Sequence, residues 1–62
     1  MTNRIYNAIN AAIEEYGKAN TLPKQENSRH YLIGLLRGLY EADAITYEEK
    51  ESFYQIINKE GI

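Results

Sequence analysis

Few side chains in this 62-residue chain have the chemistry of a catalyst. His30 is the only residue that titrates near neutrality without perturbation. Ser28 lies two positions earlier, and two residues turn a helix through about 200°, so the pair does not face one another as nucleophile and base. A polar position in the first turn of a helix accounts for His30. Acids occur in short runs, Glu14-Glu15 and Glu48-Glu49 with Glu51, and would form a paired-carboxylate site only if tertiary structure converged them. Glu49 is read as a capping residue, and Glu48 and Glu51 as a solvated face. Cys is absent, which excludes disulfides, fits a reducing compartment and leaves His30 as the only soft ligand, so no structural zinc site is expected. Gly34 and Gly38 stand in a helical pattern with no preceding strand and no Lys-Ser/Thr after them, so they are not a phosphate-cradling loop. A domain of this size is also expected to lack a pocket of several hundred Å³. The sequence therefore predicts no catalytic, cofactor-binding or metal-binding residue, and no enzyme.

Charge argues against nucleic acid. The net charge is −2, and residues 41–62 hold six acids against two bases. A helix-turn-helix would place its second helix, here the acid-rich one, against phosphates that repel it. Lys24, Arg29, His30 and Arg37 form a looser basic set, too small for a convincing footprint. Weak DNA binding is retained only as an alternative. No apolar run approaches the ~20 residues that cross a bilayer, and the first residues lack the apolar stretch of a secretory signal. A cytoplasmic protein is expected. The abundance of Ile, Asn and Tyr suits an AT-rich bacterial or phage genome.

Three helices must position whatever site exists, in one all-α domain spanning 1–62. Ile5, Ile9, Ile13 and Tyr16 recur at spacings of four, four and three, which predicts a helix over about 3–18 with Thr2 as its N-cap and Gly17 near its end. Asn20 to Asn27 reads as the longest connection, because Pro23 pushes Leu22 out of the α region. The second helix is placed at about 28–43, capped by Asn27 or Ser28; a start with Pro23 in its first turn is the open alternative. Its Tyr31, Leu32, Ile33, Leu35, Leu36, Leu39 and Tyr40 cover an arc of about 200°, wider than the ~100° that one neighbour requires. This helix is therefore wedged between two neighbours, or between a neighbour and another molecule. Gly34 and Gly38, one turn apart, each cost about 1 kcal/mol of helix propensity. Close approach of another backbone is the expected compensation. After a turn at Ala42-Asp43-Ala44-Ile45, Thr46 and Glu49 form a capping box opening a third helix over about 47–59. Tyr47, Phe53, Tyr54, Ile56 and Ile57 are its apolar face, with the Lys50 stem lying along it and Gly61 as its stop.

The hairpin from Leu36 to Ile57 resembles the SHOCT type of short bacterial helical hairpin through Leu36-Arg37-Gly38-Leu39, Glu41-Ala42, Ile45-Thr46 and Glu48-Glu49. The resemblance covers 22 of the 62 residues. This chain has Asp43 where that family usually has a turn Gly, and Lys50 where it usually has an aromatic. The resemblance implies protein contacts or oligomerisation and carries no catalytic residue.

Six tyrosines are many for so small a chain. Tyr6, Tyr16 and Tyr40 suit the edge of a core. Tyr is also favoured at interfaces, where a rigid ring adds contact area at low entropy cost. Tyr31, Ile33, Gly34, Gly38, Tyr40, Tyr47 and Tyr54 are the candidate partner-binding residues. The function expected is a non-enzymatic module that binds another protein as regulator, adaptor or inhibitor, in the manner of small phage and mobile-element regulators. A structural homo-oligomer is the other alternative.

Overall fold

Regular structure begins at Thr2, whose backbone is extended (φ −79°, ψ 159°) and whose Oγ1 accepts the Ile5 amide at 3.2 Å. That bond satisfies one of the donors a helix start leaves unpaired. The computed structural model, which describes residues 1–60, follows with α1 over Asn3–Lys18. Ile9 and Tyr16 are buried, and Ile5, Ala12 and Ile13 pack partly buried beside them, which is the stripe the spacing predicts. Beyond Lys18 the Ala19 amide donates to the Tyr16 carbonyl at 3.2 Å and the chain turns.

The second helix corrects the boundary read from sequence. α2 runs Leu22–Glu41, beginning well before Ser28 and ending short of Asp43. Thr21 is the extended residue (φ −131°, ψ 155°), and its Oγ1 accepts the Lys24 amide at 3.4 Å. Leu22 is thus inside the helix. Pro23 sits in the first turn, where its missing N–H would have had no partner in any case. Asn27 and Ser28, the caps read from the sequence, lie inside α2, and His30 comes two turns after its start. The connection from α1 shortens to Ala19–Thr21.

α2 ends in a Schellman turn. Asp43 donates its amide to the Tyr40 carbonyl (3.0 Å) and Ala44 donates to that of Leu39 (2.8 Å). The geometry needs a left-handed residue, and Asp43 supplies it with φ 60°. Aspartate tolerates that region better than most residues because its short side chain can bond locally. The capping box forms as expected: Glu49 Oε1 accepts the Thr46 amide at 2.8 Å, and Thr46 Oγ1 accepts the Glu49 amide at 3.1 Å. α3 then spans Tyr47–Glu60. The expected stop at Gly61 lies outside the described residues.

Twenty residues at about 1.5 Å each make α2 about 30 Å long, close to the 33 Å long dimension of the molecule. α2 packs against both α1 and α3, which touch one another less. The wide arc on α2 thus has two neighbours within the chain. The core is Ile9 and Tyr16 from α1, Leu32 and Leu36 from α2, Phe53 and Ile57 from α3, and Ile45 from the turn. The apolar face read for α3 is narrower than expected, since Tyr47 and Ile56 are exposed. No helix among the described residues is long and apolar enough to cross a membrane.

Candidate partner interface

The partner-binding residues read from the sequence do not form one surface. Two residues turn α2 through about 200°, so Tyr31 and Ile33 point to opposite flanks. Ile33 faces α3, lining an open groove of about 380 Å³ with Arg29, Glu51, Tyr54, Ile57 and Asn58. Tyr31 faces α1, lining a shallower hollow of about 290 Å³ with Ala12, Glu15, Asn27 and Ser28. Gly34 and Gly38 lie on the exposed outer side of α2. Among the described residues a β-carbon at either would meet nothing within 4 Å, so no described backbone from another element approaches them. The close approach expected from their spacing is not made by any of the described residues.

The α2–α3 flank gathers the rest. Tyr40 at the end of α2 meets Tyr47 at the start of α3 edge to face, with ring centroids 6.2 Å apart. Tyr54 stands two turns further along α3, on the same side as Tyr47. Between these three rings lies the Lys50 ammonium, 4.5 Å from the Tyr40 centroid, 5.0 Å from Tyr47 and 5.6 Å from Tyr54. All three distances are within the ~6 Å over which a ring face attracts a cation. Among the described residues no carboxylate pairs with this ammonium within 4.0 Å. The sequence places the Lys50 stem along the apolar face; the structure adds the rings that receive its charge.

Glu51 borders the same cluster. Its carboxylate, one turn from Tyr47, holds that phenol above the usual value of 10.0, first by hydrogen bonding to the neutral phenol and then by repelling the phenolate. At the far end of the groove Arg29 donates to Asn58 Oδ1 at 3.2 Å, linking α2 to α3. Arg37 is engaged locally with Glu41 at 3.2 Å. Sequence reasoning missed Lys50, Glu51, Arg29 and Asn58 as members of this surface. Part of the signal was present, because Lys50 follows Tyr47 by three residues and precedes Tyr54 by four, spacings that share a helix face. The contribution of Tyr40 depends on how α2 and α3 cross, which no local spacing records.

The groups considered for catalysis stand apart. His30 is exposed beside a cleft of about 410 Å³ that includes Tyr16, Leu22 and Arg29. A hollow of about 440 Å³ at the α1–α2 corner is lined by polar groups such as Glu15, Lys18 and Lys24. The expectation of no space of several hundred Å³ is therefore corrected. Each such space is an open depression between helices, in which short elements leave their side chains splayed. No three His, Cys, Asp or Glu side chains among the described residues come close enough to hold a metal ion. Glu49 is held below its ordinary 4.5, chiefly by the Thr46 amide it accepts. Compared with models of protein families, with curated proteins and with solved structures, the chain matches none.

Proposed function

We propose that this chain is a small, non-enzymatic, cytoplasmic protein-binding module that regulates, adapts or inhibits a partner by occupying its surface through the α2–α3 flank. One observation carries the reading: on the α2–α3 flank Ile33 is 37% exposed in a groove with the half-buried Tyr54, and Tyr54 in turn shares the Lys50 ammonium with Tyr40 and Tyr47, which are 38% and 57% exposed. A chain of this size has little apolar area to spare, and a contiguous exposed apolar patch marks a contact site more often than not. Rigid rings with polar tips are also the side chains from which interface hot spots are commonly built. The SHOCT-like pattern of residues 36–57 agrees with a role in protein contacts.

The test is capture of a stoichiometric partner from source-cell extract by the wild-type chain and by variants, with light scattering on the isolated chain at several concentrations. Ile33→Ser with Tyr47→Ala should lose the partner while keeping a helical circular dichroism spectrum. Tyr31→Ala and Gly38→Leu, on the opposite flank, decide whether that side contributes. His30→Ala should leave capture unchanged. Dimerisation of the isolated chain through the same residues would replace the foreign partner by a second copy. Loss of activity with His30→Ala, while the groove variants remain active, would overturn the reading.

A further inference from the structure

Tyr40, Tyr47 and Tyr54 make a cation cage, and its occupant in this structure is the chain's own lysine. We propose that Lys50 is a displaceable self-ligand, and that the external ligand of the cage is a lysine or arginine side chain presented by the partner protein. The inference rests on the partner-binding reading of the α2–α3 flank and names the chemistry that flank would recognise.

Three facts carry it. The first is the occupant: an ammonium already lies 4.5, 5.0 and 5.6 Å from three ring centroids, so the rings are arranged for positive charge. The second is how loosely that occupant is held. Lys50 makes no ion pair within 4.0 Å among the described residues, so its ammonium leaves the rings without breaking a charge pair. An exposed cation–π contact is weak enough for a competing cation to replace it. The third is the field around the cage. Glu51 lines the adjoining groove. Residues 41–62 carry six acids, and Lys50 is one of only two bases there. When Lys50 leaves, the rings and the neighbouring Glu51 carboxylate meet the incoming group, and both favour a cation. An acidic partner would meet repulsion at the same place.

Lys50→Ala removes the self-ligand and leaves the rings. Tetramethylammonium chloride is the probe, with tert-butanol as an uncharged control of similar shape, followed by NMR shifts of the full chain. The variant should bind the ammonium at least about tenfold more tightly than wild type, with the largest shifts at Tyr40, Tyr47 and Tyr54. Tert-butanol should produce little change. A second measurement does not depend on the variant folding: in wild type, the Lys50 ε-methylene protons should start displaced by the rings and move toward exposed-lysine values as the ammonium is added. Equal binding of ammonium and tert-butanol by the variant, or Lys50 protons that never move in wild type, would overturn the cage. Those results leave the partner reading intact if the wild-type chain still captures a partner through Ile33 and Tyr47. Conversely, a cage that fills in a chain with no partner would remove the function and keep the cage.

Discussion

The two flanks of α2 were drawn from one stripe of apolar residues, yet they end in different states. On the α3 side, Ile33 and Tyr40 meet a second set of side chains, and three rings close around a lysine. On the other side, Tyr31 stands 64% exposed over a shallow hollow, and Gly34 and Gly38 leave bare helix. Both flanks widen the arc beyond what the core needs. The difference shows that arc width counts apolar positions without saying which of them a neighbour will cover. Cover depends on the length and crossing of the adjacent helix, and α3 carries tyrosines and a long basic stem where it passes the end of α2.

The strongest way to break the comparison is to remove the floor that both flanks share. Leu36 is fully buried, so Leu36→Ala should cost about 2–5 kcal/mol, the range for a buried leucine whose cavity does not collapse. Leu39, partly buried against the same core, should cost roughly half as much when truncated. Denaturant midpoints measure both. If Leu36→Ala unfolds at the wild-type midpoint, the core lies elsewhere and the division into flanks has no basis.

The next lever acts on the α3 side alone. Thr46→Ala removes the oxygen that accepts the Glu49 amide and should cost about 1 kcal/mol. Thr46→Asp should be close to neutral, since aspartate caps equally well. The ring cluster stands on the first two turns of α3, so fraying there should also weaken the ring-current shifts at Lys50. Equal damage from both substitutions would assign Thr46 another role.

These elements differ in how much of them was legible in the sequence. The capping box was, because its four residues are contiguous and its bonds are local. The extent of α1 was legible for the same reason, its stripe and its cap both lying within a few residues of each other. The start of α2 was not. Pro23 supports two opposite readings, a break after Leu22 or a first-turn proline, and the Thr21 hydroxyl decides between them only once the chain is folded. At the site, Tyr47 and Tyr54 could be grouped by spacing, whereas Tyr40 and Lys50 meet across two helices. The glycines were read as places where another backbone, of this chain or of a partner, comes close. No described part of this chain fills that role, and they stand on an open face.

That openness gives a prediction with opposite signs on the two flanks. Gly34 and Gly38 have helical backbone without positive φ, and an added β-carbon meets no atom. Gly34→Ala and Gly38→Ala should therefore each stabilise the isolated chain, by about 0.4–1 kcal/mol. Ile33→Ala, across the helix, should destabilise it by about 1 kcal/mol, since part of that side chain is covered by the α3 side. Thermal or denaturant unfolding of the three variants decides the matter. If the glycine variants are destabilised, the outer side of α2 is already covered in solution, and a second copy packed on it becomes the explanation to pursue.

The smallest effect concerns pH and separates the capped start of α3 from the rest of the acidic segment. Glu49 has its carboxyl held below the ordinary 4.5, first by the Thr46 amide it accepts; partial burial opposes this, and the Met1 amino group 4.0 Å away adds to the lowering. A carboxyl with a depressed folded pKa binds fewer protons folded than unfolded through that interval. Stability therefore rises with pH across it. The contribution is fully present above 4.5 and is lost as the pH falls through the lower, folded value. Glu49→Gln keeps an oxygen for the Thr46 amide and removes the titration. The wild type should thus lose more stability than the variant when the pH falls below 4.5, while above it the difference between them should stay constant. The site is solvent-exposed, so the divergence should be small and should shrink in high salt, which screens the Met1 attraction. Parallel stability profiles for the two chains through the acid range would mean that the capping carboxylate titrates as it does in the unfolded chain. The reciprocal bonds at Thr46 would then be too weakly populated in solution to fix the start of α3, and with it the position of the ring cluster.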